Sequence, residues 1–576
     1  MSDTDLAPRQ LSSRLRSPIV TGRVRTTLVA LALVTATVCS FVAYVLRPLA
    51  DDVLVNFAGI HESLAKGSVF EVLSGWNFRP VGYRLWLTVE HAIVSPFTAT
   101  GSRRYQLALH VVGGFVLLGA SAVATWGWRR ARTSASRRSA IAFGAIVFIA
   151  LAWSSKAVPL QAEEFAVVLT LVAWGLASDT RTAPFAALPA AVLLFAKGST
   201  FLLVFVVLAR VTTIHGLRSP PTRRFMITTA AIDLAAVVLL LIVAPSELRD
   251  LLESGVYQDS SRAFDPQTAG RILGGVWRYA SQYPALYAGA IATLFLLADQ
   301  PRPRRVDLAV GWLVALALLV IGVNSYGYHF AVAMVPASLA LGEVVIVPPR
   351  RLLAHRWGVA AVLAAGVVGT ATVQELAHGR TFVVALAIVA LIWVPILVLA
   401  AMVAGAPKWS PRLVVPSVLV AAAAVLVISD LEPWATSAKA YERERAAYRA
   451  TVEGIEDRFL ADQQQVLLLS YGTVAYHLDD VTSACRHYFP IPLQRLRFRD
   501  TSGTSGYREN LDCALSYTGD YVILEPIWFK LDLLPSLATF LDEEFVEVSR
   551  LRTRRQNTRV VLVVLRRRDA TATMEG

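Results

Sequence analysis

Long apolar runs dominate the chain, each separated from the next by a short polar stretch. A segment needs roughly twenty apolar residues to cross a hydrocarbon core about 30 Å thick. Runs of this order fall near 26–46, 106–128, 139–157, 163–178, 183–197, 199–213, 225–244, 285–299, 306–323, 329–347, 357–374, 381–404 and 412–429. The pattern predicts a polytopic α-helical membrane protein with about thirteen transmembrane helices. The first run is too long for a cleavable signal, and no small-residue cleavage site follows it. An outer loop at 47–104 joins the first two spans. Within it Val53, Phe57, Ile60 and Leu64 share one helical face, and Val81, Leu85, Val89 and Ile93 share another. Such spacing predicts helices lying in the membrane interface, a depth that suits Trp76, Tyr83 and Trp86. After about residue 430 the pattern changes. Residues 436–460 read as a polar amphipathic helix, and Val466 to Leu469, Tyr521 to Leu524 and Val560 to Leu565 as short buried strands. This is the pattern of a small α/β domain.

Charge orients the spans. Arg9, Arg14, Arg16, Arg23 and Arg25 precede the first run, and alternate loops are basic: Arg129 to Arg138, Arg218 to Arg224, Arg302 to Arg305 and Arg350 to Arg356. The positive-inside rule puts these on the cytoplasmic side. An odd number of spans then leaves the carboxy-terminal domain outside. The expected organisation is a cytoplasmic basic amino terminus at 1–25, a transmembrane domain at 26–430 and an extracytoplasmic α/β domain at 431–576 of a cell-membrane protein.

Composition agrees, since 55% of the 576 residues are hydrophobic and only 17% charged, which excludes an ordinary soluble domain. The formal charge of +13 is explained by the cytoplasmic loops, so no nucleic-acid partner is called for. Of three cysteines, Cys39 falls in the first span, while Cys485 and Cys513 share the outer domain. In an oxidising compartment those two can form a disulfide.

The polar residues are sorted by side. Asp51 and Asp52 follow the first span, Arg79 and Arg84 lie in the outer loop, and His110 stands near the outer end of the second span. Glu163 and Glu164 open the fourth span from outside, Lys197 ends the fifth, and Tyr326, Tyr328 and His329 start the tenth. Each has an ordinary reading. An acidic pair beside a span fits a solvated loop start, a terminal Lys snorkels to headgroups, and Arg79 and Arg84 fit lipid phosphates. Paired Glu residues favour a helix amino terminus, His110 fits a packing role, and the tyrosines fit an interfacial belt. Their common side and their order carry the weight. Groups from separate segments at one membrane level are how an outward-facing cavity is assembled.

"LADDVLVN" at 49–56, "NFRPVGYRLWL" at 77–87 and "RRYQLALH" at 103–110 resemble the opening of GT-C membrane glycosyltransferases that use polyprenyl-phosphate sugars. The resemblance is to the O-mannosyltransferase-like and bacterial envelope branch. Asp51 and Asp52 match its acidic pair, Arg79-Pro80 its Arg-Pro element, and Tyr105 and His110 the next span. Pro159 with Glu163 or Glu164, and Lys197 at a helix end, resemble two later signature points. "SYGTVAYHLDD" and "CRHYFP" fit the small outer domain of bacterial members. The resemblance implies transfer of one sugar, with inversion, to a glycan, lipid or protein acceptor in the cell envelope.

The chemistry points the same way. Nucleotide sugars are cytosolic, so an outward-facing site needs a donor carried across on lipid. Transfer to a hydroxyl needs a base for the acceptor proton and positive charge for the departing phosphate. Asp51 or Asp52 can supply the base, and Arg79, Arg84 and Lys197 the positive charge. Glu163, Glu164, Tyr326, His329 and His110 are left to line the substrate. A divalent metal, Mg or Mn, bridging Asp51 or Asp52 to the phosphate is a further option. Rival classes are an envelope polymer ligase or polymerase, a flippase or transporter, and a non-catalytic receptor. A transporter places ionisable groups near the bilayer midplane, where this chain has only Asp233 and, toward the inner end of its span, Glu343.

Overall fold

The computed structural model describes residues 18–47, 49–65, 79–98, 102–132, 134–153, 158–257, 283–299, 302–321, 327–346, 443–496, 500–555 and 558–568. The apolar runs expected at 357–374, 381–404 and 412–429 lie outside the described residues, as do Trp76 and Tyr326.

The helices are α1 (Pro18–Val45), α2 (Asp51–Ala65), α3 (Val81–Val94), α4 (Arg103–Arg130), α5 (Arg137–Ala152), α6 (Ala162–Leu176) and α7 (Ala187–Ala196). They continue as α8 (Val204–His215), α9 (Pro220–Val243), α10 (Pro245–Tyr257), α11 (Pro284–Asp299), α12 (Arg302–Ile321) and α13 (Met334–Ile346). Every apolar run that falls in the described residues coincides with one of them. Their starts follow local chemistry. The side chains of Ser102, Ser136 and Ser219 accept the backbone N–H of Tyr105, Ser139 and Thr222, capping α4, α5 and α9. Among the described residues, three helical stretches are long and apolar enough to cross a membrane unaided: Arg103–Arg130, Gly198–His215 and Pro220–Val243. Along α9 the apolar side chains stand outward, Leu234 at 66% and Ile242 at 76% exposure. An apolar surface that extensive is what lipid covers.

Packing inside the bundle relies on small residues. A Cβ on Gly127 of α4 would stand 2.2 Å from the carbonyl oxygen of Gly175 in α6, and one on Gly175 would stand 2.4 Å from that of Val123. The two backbones therefore touch, as in the close crossings that glycine permits between membrane helices.

The described part of the carboxy-terminal domain starts with α14 at 443–455, which widens into a π turn at Glu456–Leu460. Its mixed sheet contains β1 (Gln465–Leu469), β2 (Thr482–Ser483), β3 (Tyr521–Leu524), β4 (Phe545–Arg555) and β5 (Thr558–Arg567), in the order β2-β1-β3-β5-β4. β1 is parallel to both β2 and β3, and β5 is antiparallel to β3 and β4. The three apolar strands read from the sequence are β1, β3 and β5. β4 escapes that reading because it is an edge strand whose side chains are mostly exposed or half-buried, so it shows no apolar alternation. A disulfide joins Cys485 to Cys513, and Cys39 is a free thiol.

The domain sits directly on the segment between α1 and α4. Val53, Phe57 and Ile60 of α2 share one hydrophobic cluster with Tyr448 and Val452 of α14, with Tyr488, and with Ile523 and Val560 of the sheet. The Tyr488 hydroxyl donates to the Val55 carbonyl at 2.6 Å, and the Glu62 carboxylate accepts the Ser483 N–H at 2.9 and 3.0 Å. The sequence placed the apolar face of α2 in the membrane interface; the structure instead covers it with the carboxy-terminal domain, leaving only Leu64 exposed. Helix α3 keeps the expected arrangement only in part: Leu85, Val89 and Ile93 stand outward, but Val81 and Tyr83, also expected at the interface, are buried with Arg84, Leu87 and Glu90.

The α4–α6 crossing makes a direct prediction. Gly127→Val should lower stability by about 1–3 kcal/mol, the usual cost of overpacking, read as a lower unfolding temperature in detergent. Gly119→Ala, on the same helix with nothing within 4 Å of its Cβ position, should leave that temperature unchanged.

Candidate active site

Asp51 and Asp52 occupy the first turn of α2, where the helix dipole favours carboxylates. Adjacent helical residues point about 100° apart, and the two side chains part accordingly. Asp51 turns to the carboxy-terminal domain, 3.7 Å from Arg445 Nη2 and 3.6 Å from Arg555 Nε, with 10% of its side chain exposed. Asp52 is the more open, with 30% exposed. Its oxygens accept from the Tyr471 hydroxyl at 2.9 Å and the Tyr328 hydroxyl at 3.3 Å, and Arg79 Nη2 stands 3.6 Å away.

Arg79 is set by the start of α3. Pro80 precedes the first helical residue, and Arg84 Nε donates to the Arg79 carbonyl at 3.1 Å. The Arg84 guanidinium pairs with Glu247 of α10, with both side chains buried. Gly82 lets this turn approach the end of α7, since a Cβ there would stand 2.7 Å from the Phe195 carbonyl oxygen. Burial opposes the Arg79 charge, but Tyr328, Glu163 and Asp52 outweigh it and hold the guanidinium above its ordinary range. Arg79 is thus a fixed cation.

Two residues beyond Phe195, Lys197 breaks the helix in extended backbone between α7 and the 3-10 turn Gly198–Leu203. Its Nζ lies 2.5 Å from Glu163 Oε1 and 3.3 Å from His329 Nε2, with the Tyr328 ring 5.8 Å away. His329 Nε2 is 3.5 Å from the same Glu163 oxygen. Glu163, His329, Lys197, Tyr328, Arg79 and Asp52 therefore form one connected group drawn from five separate segments.

Glu164, one residue on, faces away. It accepts the Tyr44 hydroxyl and the Leu160 N–H, each at 2.6 Å. The Leu160 carbonyl accepts the Tyr83 hydroxyl at 2.6 Å. Leu160 adopts φ 63°, a conformation that costs a non-glycine residue about 1 kcal/mol or more; these two bonds hold it there. His110 keeps Nδ1 2.8 Å from the Gln106 carbonyl of its own helix and meets Tyr44 edge-on.

Of the residues singled out from sequence, the structure brings together Asp51, Asp52, Arg79, Glu163, Lys197 and His329. Arg84, Glu164 and His110 belong to the packing behind them, and Tyr326 lies outside the described residues. Sequence reasoning missed Tyr471, Arg445 and Arg555, and it counted Tyr328 among the polar groups of the expected cavity, with an interfacial belt as its ordinary reading, without assigning it to the substrate. Tyr471 had a signal, since it stands just beyond β1 within "SYGTVAYHLDD". Arg445 and Arg555 had none, because each sits in a charged run that reads as a solvated surface.

The acidic pair alone does not make an all-protein divalent-cation cage; Mg at a phosphate site takes one or two carboxylates and completes its shell with water and phosphate oxygens. The oxygens of Asp51 face two guanidinium groups, those of Asp52 hold two phenols, and no cluster of three His, Cys, Asp or Glu among the described residues is placed to hold a metal.

No family model matches the chain, and no curated protein matches it by sequence. The chain is similar to several solved structures. One is ArnT from Cupriavidus metallidurans bound to undecaprenyl phosphate, at 14% identity and a TM-score of 0.48, covering 93% of this chain and 98% of that one. Another is the oligosaccharyltransferase of Archaeoglobus fulgidus in its apo form, at 11% identity and a TM-score of 0.42, covering 89% of this chain and 71% of that one. The same archaeal oligosaccharyltransferase, AglB, in complex with an inhibitory peptide and a dolichol-phosphate gives 11% identity and a TM-score of 0.39, covering 92% and 74%.

The Lys197–Glu163 pair is buried, with side chains 12% and 2% exposed. Removing one partner should be far worse than removing both. Glu163→Gln alone should cost about 3 kcal/mol, whereas Glu163→Leu with Lys197→Met should recover most of it. Chemical unfolding of the purified variants checks this.

Proposed function

We propose that this protein is a multi-pass membrane glycosyltransferase. It moves one sugar from a polyprenyl-phosphate donor to a hydroxyl of a glycan, lipid or protein acceptor on the outer face of the cell membrane. The observation that carries this reading is the partly exposed Asp52 carboxylate, standing in one connected group with two buried cations, Arg79 and Lys197. A carboxylate beside fixed positive charge, at one end of an apolar helical bundle, matches the two demands of the reaction. A transporter would instead distribute such groups around the bilayer midplane.

In this mechanism Asp52 accepts the proton of the acceptor hydroxyl as its oxygen bonds to the anomeric carbon of the sugar. The bond from that carbon to the phosphate oxygen breaks on the opposite face, and the polyprenyl phosphate leaves with the electron pair. Arg79 and Lys197 stabilise the charge that develops on it. A single displacement inverts the anomeric centre. Glu163 keeps Lys197 charged and aimed, and Arg84 holds the turn that presents Arg79. The basic loops support an amino terminus in the cytoplasm and a carboxy-terminal domain outside, an orientation in which the donor is drawn from the outer leaflet.

In nanodiscs the protein should transfer sugar from a polyprenyl-phosphate donor and leave nucleotide sugars untouched. Asp52→Asn should lower kcat by about 10²–10⁴-fold, the usual contribution of a positioned base, and more than Asp51→Asn does. Arg79→Ala and Lys197→Ala should each lower kcat/KM for the donor roughly ten- to a hundredfold. Turnover of a nucleotide sugar, or an Asp52→Asn variant of normal activity, would overturn this function.

A further inference from the structure

The carboxy-terminal domain reaches the acidic pair with one end of its sheet. β1 and β3 are parallel, so Tyr471 and Glu525, which follow them, emerge side by side. β4 is antiparallel to β5, which is antiparallel to β3, so β4 runs in the same direction as β3. Its last residue, Arg555, consequently lies at the same end, where open sheets with parallel strands commonly place their functional groups.

At that end Arg555, which also meets Tyr448, Thr473 and the Trp528 ring, makes three contacts that bear on the acidic pair. Its Nη2 stands 3.2 Å from Glu525 Oε1, and Glu525 is fully buried. The guanidinium carbon lies 4.3 Å from the centre of the Tyr471 ring. Its Nε stands 3.6 Å from Asp51 Oδ2. Glu525 in turn accepts the Tyr471 backbone N–H at 2.9 Å, and the Tyr471 hydroxyl donates to Asp52 at 2.9 Å. Burial, followed by Asp52 and Asp51, holds the Tyr471 phenol well above its usual range, so it remains a proton donor to Asp52. Three carboxylates, Asp51, Asp52 and Glu525, thus meet three guanidinium groups, Arg79, Arg445 and Arg555. Lysine could balance the charge, but only a planar fork can face two carboxylates and lie on a ring together.

We propose that Arg555 is a positioning residue of the active site. Through Asp51 on one side and Tyr471 on the other, it fixes the direction of the Asp52 carboxylate. The carboxy-terminal domain is then part of the catalytic apparatus, since the transmembrane domain alone leaves Asp51 without Arg445 and Arg555, and Asp52 without the Tyr471 hydroxyl. This inference rests on the glycosyltransferase reading.

The test compares Arg555→Gln, Arg555→Lys and Tyr471→Phe in nanodiscs with a polyprenyl-phosphate sugar as donor. Misaimed reacting groups cost up to about a hundredfold in rate, so Arg555→Gln should lower kcat roughly ten- to a hundredfold. Its donor KM should stay within about threefold, because Arg79 and Lys197 are untouched. Arg555→Lys should regain part of the loss, since it restores charge beside Asp51. Tyr471→Phe keeps the ring under the guanidinium and loses only the hydroxyl, so it should also lower kcat with little change in donor KM. The Arg555→Gln loss combined with Tyr471→Phe should be smaller than the product of the two single losses, since both act through Asp52. Normal kcat in Arg555→Gln, or a loss confined to donor KM, overturns the positioning role. Should Arg555→Gln fail to fold, normal kcat in Tyr471→Phe overturns it equally. If the unsubstituted protein transfers no sugar from any polyprenyl-phosphate donor, the glycosyltransferase reading itself falls, and that result is distinct from either of the others.

Discussion

Val53, Phe57 and Ile60 of α2 are removed from solvent by Tyr448, Val452 and Tyr488 of the carboxy-terminal domain, and the acidic pair depends on that contact. Each such side chain contributes about 1.5–3 kcal/mol on full burial, so the seam is held by apolar surface. The polar groups it carries are held by what arrives with it. Two adjacent carboxylates at a helix start repel each other unless cations are brought close. Two of those cations, Arg445 and Arg555, come from the domain that closes the seam. The third, Arg79, comes from the start of α3, where Gly82 allows backbone contact with α7.

The buried ion pairs of the site are poor sources of stability. Arg84 with Glu247, and Lys197 with Glu163, each remove two charges from water, a cost that their mutual attraction repays only with good geometry. Apolar residues would pack these positions at least as well. Their presence is explained by what they hold. Arg84 also bonds the Arg79 carbonyl, and Glu163 anchors Lys197 next to His329 and the Tyr328 ring. Rigid supporting bonds of this kind keep reacting groups in place.

Much of the architecture was legible in the sequence because its signals are local. Apolar run length gives the helices, short apolar runs give β1, β3 and β5, and the shared side of Asp51, Arg79, Glu163, Lys197 and His329 gives half of the site. The other half rests on contacts distant in sequence. A tyrosine beyond a strand looks like any interfacial aromatic, and Tyr471 finds its role only when the fold sets it against Asp52. Arg555 ends an edge strand rich in arginine, where composition suggests solvent. The apolar face of α2 was correctly seen, but periodicity reports only that a face is covered, without saying whether lipid or protein covers it. Glu163 and Glu164 illustrate the same limit. They are chemically identical neighbours, and only their rotation about α6 sends one to Lys197 and the other to Tyr44.

Tyr471 and Asp52 are 419 positions apart, and this separation has a consequence for biosynthesis. A chain made from its amino terminus completes α2 well before the domain that covers its apolar face and supplies Arg445, Tyr471 and Arg555. Those strands follow only after the helical bundle, so the candidate site stays incomplete until β4 and β5 join the sheet. Loss of β4 and β5 would remove Arg555 from Asp51 and uncover part of the apolar face of α2, turning a local truncation into a misfolding liability.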